Sequence, residues 1–163
     1  MSNCYLSQVK ICWAKLIRKS LGGIIHQAGV LAAACLYGLN NFVSRISKDH
    51  NNAIAIAKGV CNSNSSAVTV DVNSVQTNIV HLICDNIRVN PDQLCARLNK
   101  IIGNEAIEMA EGVAIKCTPI PPNIVRIMTH GDLLMEDVRA IIKKLQYVIS
   151  EYDSYFVIEY DCA

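Results

Sequence analysis

The sequence predicts an α+β layer, a small antiparallel or mixed sheet covered by helices on one face and preceded by a long N-terminal helix. Three observations carry the prediction. Residues 28–60 contain no proline and repeat apolar side chains at spacings of three and four. Downstream, two pairs of short apolar runs read as strands. Each pair is followed by an amphipathic segment that opens with a helix-starting signal, which gives the order long helix, strand, strand, helix, strand, strand, helix.

Residues 1–27 form a basic lead-in that ends in a Gly-rich turn. Gly22-Gly23 gives the backbone freedom to enter the following helix from an unusual angle. In that helix Leu31, Cys35, Leu39, Phe42, Val43, Ile46, His50, Ala53 and Ala57 keep one face apolar. Residues 62–66 end it with Asn and Ser, which favour turns. Residues 67–72 alternate through Val68, Val70 and Val72, and 78–84 form a nearly continuous apolar run, so both read as strands. Asn90-Pro91-Asp92-Gln93 supplies an N-cap, a first-position proline and an acid in the first turn of a helix expected over 91–102. Residues 112–119 and 123–129 are two further strands separated by Pro121-Pro122. Asp132 is placed to cap a closing helix whose apolar face holds Leu134, Val138, Ile141, Leu145 and Val148. Residues 28–152 then make one domain that includes the long helix, with 153–163 as an unassigned tail.

A chain of 163 residues can bury a core of its own. Hydrophobic residues at 52% against charged residues at 18% exclude a disordered or collagen-like chain. The net charge of +1 argues against a dedicated nucleic-acid binder. That charge is unevenly spread, because residues 1–48 hold six Lys or Arg and no acid. The eight cysteines form no CxxC or CxH pair and several fall in apolar runs, which reads as reduced structural thiols and no zinc site. A reducing compartment follows, the cytoplasm, with a mitochondrial destination as the alternative because the start is free of acids. Residues 21–39 approach the length of a membrane span, but their many Gly and Ala and the polar continuation read better as a helix packed inside protein.

No GxSxG, HExxH, GxGxxG or GxxxxGK[ST] pattern occurs, so individual residues carry the chemistry. On a strand over 123–129, Arg126 shares a face with Ile124 and Met128. A guanidinium among apolar neighbours is either an edge-strand residue whose head reaches water or a fork for a ligand carboxylate. His130 in Thr129-His130-Gly131-Asp132 is a turn residue, a ligand or an acid–base group. His26 stands before a helix start with basic residues behind it, where an anion could be held, or is simply a satisfied histidine.

Four blocks, in order, resemble the C-terminal part of low-specificity L-threonine aldolases. They are Leu21-Gly22-Gly23 with Gln27-Ala28-Gly29-Val30-Leu31-Ala32-Ala33-Ala34; Asp49-His50-Asn51-Asn52-Ala53; Val75-Gln76-Thr77-Asn78-Ile79-Val80; and Val125-Arg126-Ile127-Met128-Thr129-His130-Gly131-Asp132. The resemblance covers about residues 18–148 and implies the C-terminal domain of a fold-type-I pyridoxal-phosphate enzyme. It implies a lyase that cleaves L-threonine or L-allo-threonine to glycine and acetaldehyde, with a small amino acid as partner and assembly into oligomers. By the same resemblance Arg126 binds the substrate carboxylate, and Lys19 and His26 lie near the cofactor. His26 stands where the family has an arginine, so a weaker, pH-dependent charge is expected there.

The family's Schiff-base lysine lies upstream in a Ser-Lys-Gly segment, as do the histidine and aspartate that attend the cofactor ring. None has a counterpart here; Ser47-Lys48-Asp49 is the only Ser-Lys pair and falls within the long helix. The chain is therefore expected to be inactive alone, as a fragment, short isoform or degenerate copy. The alternative is a non-catalytic module that pairs with another subunit. On either reading residues 18–60 should show an apolar face that needs cover.

Overall fold

The computed structural model describes residues 2–102 and 112–160. Cys162 lies outside them. Two compact units divide the chain, Met1–Val43 and Ser44–Ala163.

The first unit contains α1 (Ser2–Ser20) and the beginning of α2 (Ala28–Cys61). The lead-in of the sequence reading is thus helical. No proline or glycine interrupts residues 2–20, and Arg18 and Lys19 in the last turn oppose the negative end of the helix dipole. Gly22 stops the helix by adopting φ 77°, the left-handed conformation a glycine takes without strain, while the Gly23 N–H donates to the Arg18 carbonyl at 2.8 Å. Burial inside this chain is not what residues 21–39 find. All of them except the half-buried Gly38 are exposed, among them Leu21, Val30, Leu31 and Leu39, and Trp13 of α1 is exposed too. The expected uncovered apolar face is present through residues 18–46, whereas further along Ala53, Ile56, Ala57 and Val60 are buried in the core. Among the described residues no helix is long and apolar enough to cross a membrane.

In the second unit, β1 (Val68–Thr69), β2 (Ile79–Cys84), β3 (Thr118–Ile120) and β4 (Ile124–Met128) form one antiparallel sheet in the order β1-β2-β4-β3. Strand alternation decides which face is covered. Val80, Leu82 and Cys84 of β2 and Val125 and Ile127 of β4 point into a core completed by Ala53 and Ile56 of α2, Leu94 and Leu98 of α3 (Pro91–Leu98), and Leu145 and Ile149 of α4 (Met135–Tyr160). The intervening positions form a second face that these helices leave open.

Several elements differ in extent from expectation. The first strand keeps only two residues, because Asp71 caps a 3-10 turn, Val72–Ser74, by accepting from the Asn73 N–H. Residues 112–117 are irregular and only Thr118–Ile120 pairs. The Pro121-Pro122 peptide in the turn between β3 and β4 is cis. Asn90 caps α3 as expected, accepting from the Asp92 N–H, but the helix ends at Leu98 rather than 102. At the start of α4 it is Asp137, not Asp132, that satisfies an orphan donor, the Leu134 N–H at 2.8 Å. Finally, α4 continues to Tyr160, into residues to which the sequence pattern assigns no element.

Arg97 and Glu151 join α3 to α4 through two hydrogen bonds, 2.8 Å from Nε and 2.7 Å from Nη2. Helices α2 and α4 meet at Gly59. A Cβ there would stand 2.5 Å from Ile142 Cγ2, and the Gly59 carbonyl already accepts from Gln146 Nε2 at 2.8 Å. We expect Gly59→Val to destabilise the second unit by about 2 kcal/mol, the scale of core overpacking. Urea denaturation checks this, and adding Ile142→Ala should recover part of the loss.

Cys12, Cys35 and Cys61 are exposed free thiols, whereas Cys84 is buried and its pKa is raised to about 11, by burial first and then by Cys95 nearby. A thiol so raised stays protonated at pH 8, so iodoacetamide should label Cys84 at least about 100-fold more slowly than the exposed three. Time-resolved peptide mapping checks the ratio. The sign for stability is that a raised thiol pKa costs nothing below pH 9 and weakens the fold as pH climbs from 9 towards 11.

Candidate carboxylate-binding site

Arg126 sits in the middle of β4, an interior strand between β2 and β3, which removes the edge-strand reading of this residue. Its neighbours in register are His81 of β2 and Thr118 of β3, so the three side chains form a row across the open face of the sheet. Apolar residues flank the row along each strand: Ile79 and Ile83 on β2, Ile124 and Met128 on β4. Arg126 is half-buried among them, whereas His81 and Thr118 are exposed.

The Arg126 Nε is buried and has no hydrogen-bond partner, and no ion pair holds Arg126 among the described residues. A guanidinium cannot shed its charge, so a buried, unpaired N–H on it carries a desolvation cost that a ligand acceptor would remove. The planar fork suits a carboxylate, which it can bind through two parallel hydrogen bonds. His81 was overlooked in the sequence. Its signal was nevertheless there, as the only strongly polar side chain in residues 79–84, on the face opposite Val80, Leu82 and Cys84.

Three of the four sequence blocks converge at one end of β4. The Thr129 hydroxyl donates to the Asp49 carbonyl at 2.8 Å, the Thr129 N–H to the Asn78 carbonyl at 2.9 Å, and Asn78 Nδ2 to the Thr129 carbonyl at 2.7 Å. Asn52, almost fully buried, donates to the Leu133 carbonyl at 3.5 Å. These bonds fix where α2, β2 and β4 meet and hence the position of Arg126 three residues back. Asp49 Oδ1 is buried there without a partner. His130 belongs to the turn that follows: it is exposed, its carbonyl accepts from the Leu133 N–H, and its Nδ1 lies 3.8 Å from Asp132 Oδ2.

Lys19 and His26 belong to the first unit, and both are exposed. A cavity of about 480 Å³ in the second unit is lined by Ile56, Ile115, Ile127 and Ile141 with Lys116 and His130. It lies on the helix-covered side of the sheet, and Arg126 does not line it. Pyridoxal phosphate needs an amine to bond its carbonyl carbon, and neither the lysine of the Ser-Lys pair nor the fully buried lysine fits that part. Lys48 is exposed on α2, and the one fully buried lysine among the described residues, Lys144, donates from Nζ to the Lys100 carbonyl at 2.8 Å. Among the described residues no group of three or more His, Cys, Asp or Glu is placed to hold a metal ion.

The sequence pattern of the beta-eliminating lyase family matches residues 2–85. The probable low-specificity L-threonine aldolase 2 of Arabidopsis thaliana is 30% identical over 143 residues, which cover 88% of this chain and 35% of the relative. The low specificity L-threonine aldolase of Escherichia coli (strain K12) is 30% identical over 124 residues, 76% of this chain and 31% of the relative. The chain spans about a third of the length of the curated relatives it matches. An 8-amino-7-oxononanoate synthase structure from Francisella tularensis aligns with a TM-score of 0.47 at 15% identity, covering 74% of this chain and 32% of that one.

Proposed function

This chain belongs to the beta-eliminating lyase family, and from that premise we propose that it is the C-terminal, carboxylate-binding portion of a threonine-aldolase-type polypeptide. The observation that carries the reading is the unpaired, partly buried guanidinium of Arg126 on an uncovered sheet face. Arg126 holds the carboxylate of a small amino acid such as L-threonine, with the Thr118 hydroxyl and the His81 imidazole beside it in the row. Holding the carboxylate in one plane fixes the rotation of the whole substrate, which is the positioning part of catalysis. Pyridoxal phosphate would supply the electron sink, and in this proposal it is held by a large domain outside this sequence. Lys19 and His26, exposed on the first unit, face that domain near the cofactor. The free cysteines suit a reducing compartment such as the cytoplasm.

The exposed apolar residues of α1 and α2 favour a second reading, a non-catalytic module that pairs with a full-length subunit of the same family. One assay bears on both. The purified chain, given pyridoxal phosphate and L-threonine or L-allo-threonine, should release no acetaldehyde. Aldehyde release by the chain alone would contradict both the missing-domain account and the module reading.

A further inference from the structure

We propose that the 480 Å³ cavity of the second unit binds a medium-chain aliphatic carboxylate, with the hydrocarbon tail inside and the charged head at Lys116. The volume falls in the range of about 300 to 1,000 Å³ typical of small-molecule sites. Its deep part is hydrocarbon: Ile56 of α2, Ile115 of the segment before β3 and Ile127 of β4 are buried, and Ile141 of α4 is half-buried beside them. The Ile115 N–H donates to the Leu98 carbonyl at 2.9 Å, which holds that wall against the end of α3. Branched aliphatic side chains around a space have no partner atoms on that side, and a hydrocarbon tail restores the lost contacts while water does not.

The polar groups of the lining decide the head of the ligand. Thr129 is buried, and its hydroxyl, N–H and carbonyl are all engaged with Asp49 and Asn78. Asp137 accepts from the Leu134 N–H, and His130 Nδ1 lies 3.8 Å from Asp132 Oδ2. Lys116 is different. It is exposed at the mouth, and among the described residues no hydrogen bond or ion pair holds its side chain. An ammonium offers a positive charge and three donors, which a carboxylate accepts. The site is separate from Arg126, which does not line the cavity, and it suits a different ligand: a small amino acid lacks the tail that would fill the hydrocarbon end.

The test titrates the full chain, isotope-labelled at its isoleucine δ1 methyl groups, with butanoate, hexanoate, octanoate and octanol. Octanoate should shift Ile56, Ile115, Ile127 and Ile141 saturably and leave Ile79, Ile83 and Ile124, which flank the Arg126 row, in place. Affinity should rise about three- to fourfold for each methylene, the measure of burying one. Octanol should bind about fivefold more weakly than octanoate, and Lys116→Gln should weaken octanoate by a similar factor, as expected for an exposed charge pair. Ala140→Phe puts a ring into the cavity and should abolish the shifts; if that variant does not fold, the methyl map and Lys116→Gln still decide. Shifts confined to Ile79, Ile83 and Ile124, an affinity indifferent to chain length, or octanol bound as tightly as octanoate would overturn the proposal. Glycine in excess should not compete, so the result is independent of whether Arg126 binds a substrate.

Discussion

Arg126→Ala, made in a chimera where this chain completes the large domain of the E. coli relative, is expected to lower kcat/KM for L-threonine by at least about 100-fold. Two hydrogen bonds between charged groups are lost, worth about 1.5 to 3 kcal/mol each, and 1.4 kcal/mol corresponds to a factor of ten. Arg126→Lys should recover only part of the loss, because an ammonium keeps the charge but not the planar fork. Steady-state kinetics checks the series. The companion substitution His81→Ala should cost far less than Arg126→Ala, since an exposed imidazole in the row contributes no obligatory charge. Equal losses at the two positions would mean that the row as a whole, rather than the guanidinium, holds the ligand.

Leu82→Ala is expected to destabilise the second unit by about 3 kcal/mol, in the range for large-to-small changes at fully buried positions. Leu82 is 0% exposed in the middle of β2, paired with Val125 and packed into the core these helices and strands share. Its neighbour Ile83 is 40% exposed and points to the open face. Ile83→Ala should therefore cost under about 1 kcal/mol in the isolated chain. Chemical denaturation followed by circular dichroism measures both. The contrast between adjacent residues tests the one-sided sheet on which the placement of Arg126 depends; similar losses at 82 and 83 would mean that both faces are covered.

The apolar runs at 78–84 and 123–129 were enough to predict two strands, and a period of two within a strand then puts Ile124, Arg126 and Met128 on one face. The cap at Asn90 was equally legible, since its signal is local. What failed was non-local or weakly signalled. The shortness of β1 and β3 reflects how few partners they have at the edges of the sheet, which residues 67–72 and 112–119 do not encode in themselves. Asp137 outcompeted Asp132 because it can reach back to the Leu134 N–H from inside the first turn. Helix α1 carries no N-terminal acid or recognisable stop before Gly22, so its residues read as a basic lead-in. In the candidate site, Arg126 stood out because a guanidinium among Val, Ile and Met demands a partner. Thr118 and His81 became visible only once the strand register placed them beside it. That Leu31 and Leu39 would lack cover was also foreseeable, because a helix so rich in Leu, Val and Ala presents an apolar face.

The most direct measurement follows the Arg126 Nε resonance in arginine-labelled chain during titration with glycine and, separately, with glycine methyl ester. A fork that awaits a carboxylate gives a saturable shift with glycine that the ester does not reproduce. An Arg126 signal indifferent to glycine, or one that responds equally to the ester, would contradict the account.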